Sequence, residues 1–153
     1  MFQTAILWEL VIFTIYWSLL YPDDKASGRL DKPWAMFSDC LDHLFPLAFL
    51  IGEWCMNRIY FEKNQVWANI GVILVYGLIN LTVTKVRGYP VYPPLSFDSV
   101  VSWILAFAIL PVAYGFFMML YGGTMVKFKA LKMNGLPDLA DIDSPKGTWF
   151  MKR

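Results

Sequence analysis

The sequence predicts an all-α, polytopic membrane protein with four transmembrane helices and a polar C-terminal tail. Of its 153 residues, 58% are hydrophobic and only 16% are charged, which is more apolar than a soluble domain of this size. The apolar residues form four runs, each close to the ~20 residues that a helix needs to cross a bilayer. Within each run they cover all faces of a helix rather than one stripe.

The four apolar runs occupy residues 2–21, 40–60, 66–84 and 97–121. The first run has no basic segment before it and contains Glu9, so we interpret it as a retained span and not as a signal peptide. Pro22 is expected to end this helix, and the charged residues that follow it indicate water.

The second predicted helix begins near Asp39, whose carboxylate favours the positive end of a helix. Pro46 lies inside this helix and is expected to bend it. The polar turn 62–65 that follows is short. The second and third helices are therefore expected to be antiparallel neighbours.

The third predicted helix carries Asn69, Tyr76 and Asn80 on one face, because these residues are seven and four positions apart. The connection 88–95 contains Tyr92 and three prolines. Prolines at these positions exclude a regular helix. We therefore expect a rigid aromatic connection near the lipid headgroups.

The fourth predicted helix contains Pro111, where a bend is expected, and it is expected to end at two glycines, 122–123. This divides the chain into a four-helix transmembrane domain, 1–123, and an extramembrane tail, 124–153. The tail ends in an aromatic cluster, 149–151, that is suited to docking on a partner. Four spans place both termini on one side, but the basic residues are shared equally between the two sides and predict no orientation.

Several kinds of site are not expected in this chain. The net charge is +1 and no basic stripe occurs, so nucleic acid is not an expected partner. No nucleotide, phosphate-loop or thiol motif suggests a cofactor. Cys40 and Cys55 are too far apart on one predicted helix to form a disulfide. One histidine, His43, with Asp39 and Asp42 is too small a set to predict a metal site.

Ionisable side chains within the apolar runs are the candidate functional residues, because a charge at membrane depth normally faces a protein partner or a watery cavity. His43 follows Asp39 by one helical turn. It is either a general acid or base in a membrane-embedded pocket or, more commonly, an interfacial histidine that is hydrogen-bonded to a neighbouring helix. The residues expected to contact lipid or partners are Glu9, Asp39, Glu53, Tyr76, Asn80 and Tyr92.

An ordered set of marks supports a family resemblance. The segment 15–21 precedes an acidic turn, Leu30 and Asp31 precede Trp34, His43 is followed by Pro46 and Glu53, and the segment 88–95 has the pattern Gly-Tyr-Pro-Val-Tyr-Pro-Pro-Leu. In these marks the chain resembles the last four spans of the androgen-induced-protein family. Those proteins are six-span membrane enzymes that hydrolyse fatty-acid esters of hydroxy fatty acids. The resemblance implies that His43 corresponds to the family's catalytic histidine.

Nothing in this sequence matches the helix that carries the nucleophilic threonine of that family. A mechanism with a nucleophile and a base needs both groups within hydrogen-bond reach. We therefore expect a non-catalytic accessory subunit that contacts membrane lipids and other membrane subunits. The expected assembly is a respiratory-type or ATP synthase complex of the mitochondrial inner membrane.

Two alternatives remain open. The first is an intramembrane lipid-ester hydrolase of the endoplasmic reticulum that uses His43 with a nucleophile not identified in this chain. The second is a small transporter or channel subunit that uses Glu9 and Glu53. The absence of visible inverted repeats argues against the second alternative.

Overall fold

The computed structural model describes residues 2–57 and 59–130, which are helical with short connections and, within these ranges, contain no strand. Four helical segments are long and apolar enough to cross a membrane: Phe2–Ala26, Pro33–Met56, Gln65–Arg87 and Val100–Ala130. The predicted all-α polytopic fold is thus confirmed. The cluster 149–151 and most of the predicted tail lie outside the described residues.

The first span is longer than predicted. It consists of α1 (Phe2–Ile15), a π-helical turn (Tyr16–Leu20) and α2 (Tyr21–Ala26). The Tyr21 amide donates a hydrogen bond to the Tyr16 carbonyl, five residues earlier, as in a π-helix. Pro22 was expected to end the span, but it lies in the first turn of α2, where a missing N–H is tolerated. The prediction of an end near residue 21 was wrong because the helix restarts at this point.

The second span is broken near its centre, between α3 (Pro33–His43) and α4 (Phe45–Met56). The break is at Leu44, with φ −104° and ψ −49°. Pro46 has no N–H for the ladder, and its ring crowds the preceding turn, so the helix breaks close to the proline where the sequence predicts a bend. The span begins earlier than predicted because Pro33 is favourable in a first helical turn.

The third and fourth spans are continuous helices, α5 (Gln65–Arg87) and α6 (Val100–Ala130). Gly88 ends α5 with φ +75°, a left-handed conformation that favours glycine. A 3₁₀ turn (Pro93–Leu95) lies in the connection. Helix α6 passes through Pro111 and continues beyond the predicted end near residue 121.

The buried core lies between α1, the N-terminal half of α5 and the middle of α6. Ile6, Ala113, Phe117 and Phe61 have no exposed surface. Phe61 comes from the connection between α4 and α5, and its ring packs edge-on against Phe117 with centroids 5.7 Å apart. Helix α1 packs against α4 and α6, and α6 also packs against α5. Helix α1 is therefore central, whereas α5 is held mainly from one side.

A side chain of α6 also caps the C-terminal end of α4. The Lys127 ammonium donates hydrogen bonds to the carbonyls of Trp54 and Asn57, the latter at 2.6 Å. These carbonyls have no partner within α4, since the last turn of a helix leaves its carbonyls unsatisfied. Gly123 lies against the Trp54 ring, where an added Cβ would be 2.7 Å from the nearest ring atom. The predicted helix end at this glycine is instead a close helix–helix contact.

Candidate functional site

A cavity of about 790 Å³ lies between α1, α5 and α6, next to the core. Its walls are mainly apolar side chains from 8–20 on α1 and the π-turn, 73–81 on α5 and 103–112 on α6. Some of the residues that line it, including Ile12 and Phe107, are exposed at the protein surface. The cavity therefore opens on the exposed surface of the membrane-spanning helices. Cavities of this size and character typically bind small apolar or amphipathic ligands.

Five of the seven sequence-predicted site residues line this cavity: Glu9, His43, Tyr76, Asn80 and Tyr92. Asp39 and Glu53 do not. The structure thus brings together residues from three spans and one connection, and this clustering is not visible in the sequence. Their roles in catalysis or in lipid contact stay predictions.

His43 lies at the break of the second span and stacks on Tyr16, with ring centroids 3.8 Å apart and an interplanar angle of 19°. Its Nδ1 atom is buried and has no hydrogen-bond partner within residues 2–57 and 59–130. His43 lines the cavity. Asp39, one helical turn before His43, does not hydrogen-bond to it, because the Asp39 carboxylate binds other groups.

Asp39 is buried and belongs to a polar network beside the cavity. It accepts hydrogen bonds from the Tyr16 hydroxyl and from the Arg29 guanidinium, the latter at 2.9 Å. Arg29 also forms an ion pair with Asp24 at 2.6 Å. The hydrogen bond that Arg29 donates to Asp24, together with the charge of Asp39, raises the pKa of Arg29 above its usual value. This network ties the end of the first span to α3 and fixes the Tyr16 ring under His43.

Sequence reasoning did not identify Tyr16 or Arg29. The only available signal was the presence of a tyrosine inside an apolar run and a basic residue in the following loop. Neither feature predicts a shared partner, because Arg29 and Asp39 are ten residues apart and meet only when the chain turns back on itself.

Two further lining residues have buried polar atoms without a partner. Glu9 has an unpaired Oε2 atom, and Asn80 has an unpaired Nδ2 atom, among the groups that the structure describes. The Asn80 Oδ1 atom accepts a hydrogen bond from the Thr84 hydroxyl at 3.3 Å. No hydrogen bond joins the Glu9 and His43 side chains among the described residues. A buried polar atom without a partner costs on the order of 1–3 kcal/mol.

Tyr76 and Tyr92 close one side of the cavity. Their hydroxyl oxygens are 3.0 Å apart, and the Tyr76 ring packs edge-on against Trp8 with centroids 5.0 Å apart. Tyr76 is eleven residues before the end of α5 at Arg87, about 16 Å along the helix axis at 1.5 Å per residue. The connection after α5 therefore folds back along the bundle to place Tyr92 against the middle of α5.

Glu53 is on the outer surface of α4 and accepts a hydrogen bond from the Asn57 amide at 2.5 Å. No hydrogen bond crosses the bundle from Glu53 to Asn80 or Tyr76, because Glu53 faces outward. Asn80 pairs instead with Thr84, and Tyr76 pairs with Tyr92.

The cavity offers a base but no activated nucleophile. The Thr14 hydroxyl lines it but donates to the Leu10 carbonyl at 2.8 Å, and the Tyr16 hydroxyl donates to Asp39. No hydroxyl is hydrogen-bonded to His43 within the described part of the chain. The same residues contain no group of three His, Cys, Asp or Glu side chains that could hold a metal. The arrangement is suited to holding an amphipathic molecule.

No protein-family model, curated protein or solved structure matches this chain. The function is therefore inferred from the residues of the cavity and from the surface of the helices.

Proposed function

We propose that this chain is a non-catalytic accessory subunit of a multi-subunit membrane complex, packed against lipids and other membrane subunits. The observation that carries the proposal is that His43 lines a lipid-facing cavity without a hydrogen-bonded nucleophile. Acyl transfer by a nucleophile and a base needs those two groups within hydrogen-bond reach. Without that pair, the cavity serves binding and packing.

The surface of the helices supports the subunit part of the proposal. In each span, at most 28% of the most apolar stretch is buried inside the chain. Large side chains such as Trp67, Phe49 and Met56 are at least 70% exposed. In a bilayer these surfaces are covered by lipid tails or by neighbouring helices. A small four-span chain with so little internal packing is suited to a place among other subunits.

In its finer form, the proposal assigns the chain to an energy-converting assembly of the mitochondrial inner membrane, of respiratory or ATP synthase type. Accessory membrane subunits there need only a stable scaffold and contacts to their neighbours, which is what the four helices supply. The assignment to the mitochondrial inner membrane is separate from the proposal of an accessory subunit. An accessory subunit of another membrane would have the same cavity and the same exposed helix surfaces.

A second candidate is an intramembrane lipid-ester hydrolase of the endoplasmic reticulum. The specific observation in its favour is that His43 and Glu9 line a cavity large enough for a lipid, in line with the resemblance to the androgen-induced-protein family. Thr14 is the in-chain threonine on the same wall. To act as nucleophile, its hydroxyl would have to leave the Leu10 carbonyl and turn to His43.

Native electrophoresis of the chain, extracted from its own membrane in a mild detergent, separates the two candidates. The subunit proposal predicts migration within a much larger species and no lipid-ester hydrolysis by the isolated chain above that of buffer. A free small species that hydrolyses lipid esters, with activity abolished by His43→Ala, would replace this proposal with the hydrolase.

A further inference from the structure

Three polar atoms point to a ligand in the cavity between α1, α5 and α6. Glu9 Oε2, His43 Nδ1 and Asn80 Nδ2 are buried, belong to residues that line the cavity and have no hydrogen-bond partner among the described residues. The three atoms belong to three different spans. A rotamer change of one side chain therefore cannot give all three a hydrogen-bond partner. Buried polar groups in folded proteins are nearly always hydrogen-bonded, so these three atoms need a partner that the described side chains do not supply.

The charges of the cavity restrict the chemistry of the ligand. Two carboxylates, Glu9 and Asp42, line it, and no lysine or arginine does among the described residues. At low dielectric, a phosphate or carboxylate beside these groups would be strongly repelled. A protonated amine would pair with Glu9 but has no lone pair to accept a hydrogen bond from the Asn80 N–H. A hydroxyl group donates one hydrogen bond and accepts up to two, so it satisfies both residues.

The shape of the cavity restricts the rest of the molecule. Its wall on the first span runs from Trp8 to Leu20, twelve residues or about 18 Å at 1.5 Å per residue. One leaflet of the hydrocarbon core is about 15 Å deep, so one acyl chain fits this length. The remaining walls are apolar, and the volume of about 790 Å³ falls within the range of sites for single small ligands.

We infer that the cavity binds an uncharged, single-chain lipid with a hydroxyl-bearing head, of which a monoacylglycerol is the simplest example. A head hydroxyl donates to Glu9 and accepts from the Asn80 amide, while His43 Nδ1 takes a second polar atom of the head. The acyl chain lies against the apolar side chains of α1 and α5 that line the rest of the cavity. This inference deepens the proposed function, on which it rests, by naming the class of lipid that the subunit holds.

The test is photocrosslinking of the full-length chain in detergent micelles with a monoacylglycerol that carries a diazirine on its acyl chain. We expect saturable labelling of peptides from α1 and α5, competed by unlabelled monoacylglycerol and not by lysophosphatidic acid, whose head is anionic. Equal competition by the anionic lipid, or labelling that does not saturate, would overturn the inference.

Variants connect the labelling to the cavity. Glu9→Leu and Asn80→Leu are each expected to weaken binding roughly ten-fold, the effect of one lost hydrogen bond. Ala106→Trp fills the cavity from α6 without removing a polar group and is expected to abolish saturable labelling. The matched control is Glu53→Leu, which removes the same side chain from the outer surface of α4 and is expected to leave binding unchanged.

Each variant is first shown to be monodisperse and helical, so that lost labelling reports on the site. Normal labelling of all three cavity variants would overturn the inference. Native electrophoresis of the same variants keeps the two proposals apart. If the chain migrates with the large complex but is not labelled by the lipid, only the ligand inference is refuted. If the chain is free but still binds the lipid, only the subunit proposal is refuted.

Discussion

The His43 ring stacks on the Tyr16 ring at 3.8 Å, and the Tyr16 hydroxyl donates a hydrogen bond to the buried Asp39. A single tyrosine in the π-turn of the first span thus orients the histidine and satisfies the aspartate. Asp39 and His43, which are one turn apart in sequence, are linked through this third residue. The network makes Tyr16 the structural centre of the polar side of the cavity.

Tyr16→Phe is predicted to lower the free energy of unfolding by about 1–2 kcal/mol, because it removes a hydrogen bond to a buried carboxylate but keeps the ring stacked on His43. Tyr16→Leu, which also loses the stacking, is predicted to cost more. Equilibrium unfolding in mixed detergent micelles measures both. Tyr114→Phe on the exposed surface of α6 is the control and is expected to have no effect; equal effects at the two sites would contradict the assigned network.

Gly123→Ala is predicted to destabilise the bundle by about 1–3 kcal/mol, the usual cost of overpacking. The new Cβ would approach the Trp54 ring to 2.7 Å, and that ring is held by Phe61 and Lys127. Gly122→Ala is the matched control, since a Cβ added at Gly122 would have no neighbour within 4 Å. This variant is expected to be neutral or slightly stabilising through helix propensity. Thermal unfolding of the two variants in parallel decides the point, and a Gly123→Ala protein as stable as its control would refute the close contact.

Lys127→Met is predicted to loosen the junction between α4 and α6, because its ammonium group serves the carbonyls at the end of α4. Hydrogen bonds from a charged donor contribute about 1.5 kcal/mol or more. Hydrogen exchange of the 57–64 connection, measured by mass spectrometry, is expected to speed up in this variant. Lys129→Met, on an exposed face of the same turn, is expected to leave exchange unchanged, and faster exchange in both variants would argue against a specific cap.

Four spans predict that the connections 27–32 and 88–99 lie on one side of the membrane and the connection 57–64 on the other. Single cysteines at Lys32, Asn64 and Tyr89, in a chain with Cys40→Ala and Cys55→Ala, test this with an impermeant thiol reagent. Labelling of the first and third sites from one side and of the second from the opposite side is expected. Labelling of all three from the same side would exclude four spans.

The number and position of the spans were predictable from the sequence, because each depends only on the length of an apolar run. The break near Pro46 was also predictable, because the missing N–H of a proline is a local property of the sequence. The continuation of the first span beyond Pro22 was not, because a π-turn has no sequence signature of its own. At Gly123, where an end was predicted, α6 instead makes a close contact with Trp54, about seventy residues away in the sequence, which the sequence does not reveal.

The candidate site was predictable in its residue types but not in its assembly. Glu9, His43 and Asn80 are conspicuous because they are polar within apolar runs. That they face one cavity, whereas Glu53 faces outward, depends on how the helices rotate against one another. Asp39 was expected beside His43 by helical spacing, but tertiary contact with Arg29 and Tyr16 determines its partners instead.

The most direct test of the central claim is quantitative mass spectrometry of the chain purified from its native membrane at native abundance. An accessory subunit is predicted to co-purify with a fixed set of membrane proteins in constant stoichiometry, and His43→Ala is predicted to leave that stoichiometry unchanged. Recovery of the chain alone, with lipid-ester hydrolysis that His43→Ala removes, would contradict the account and identify an enzyme.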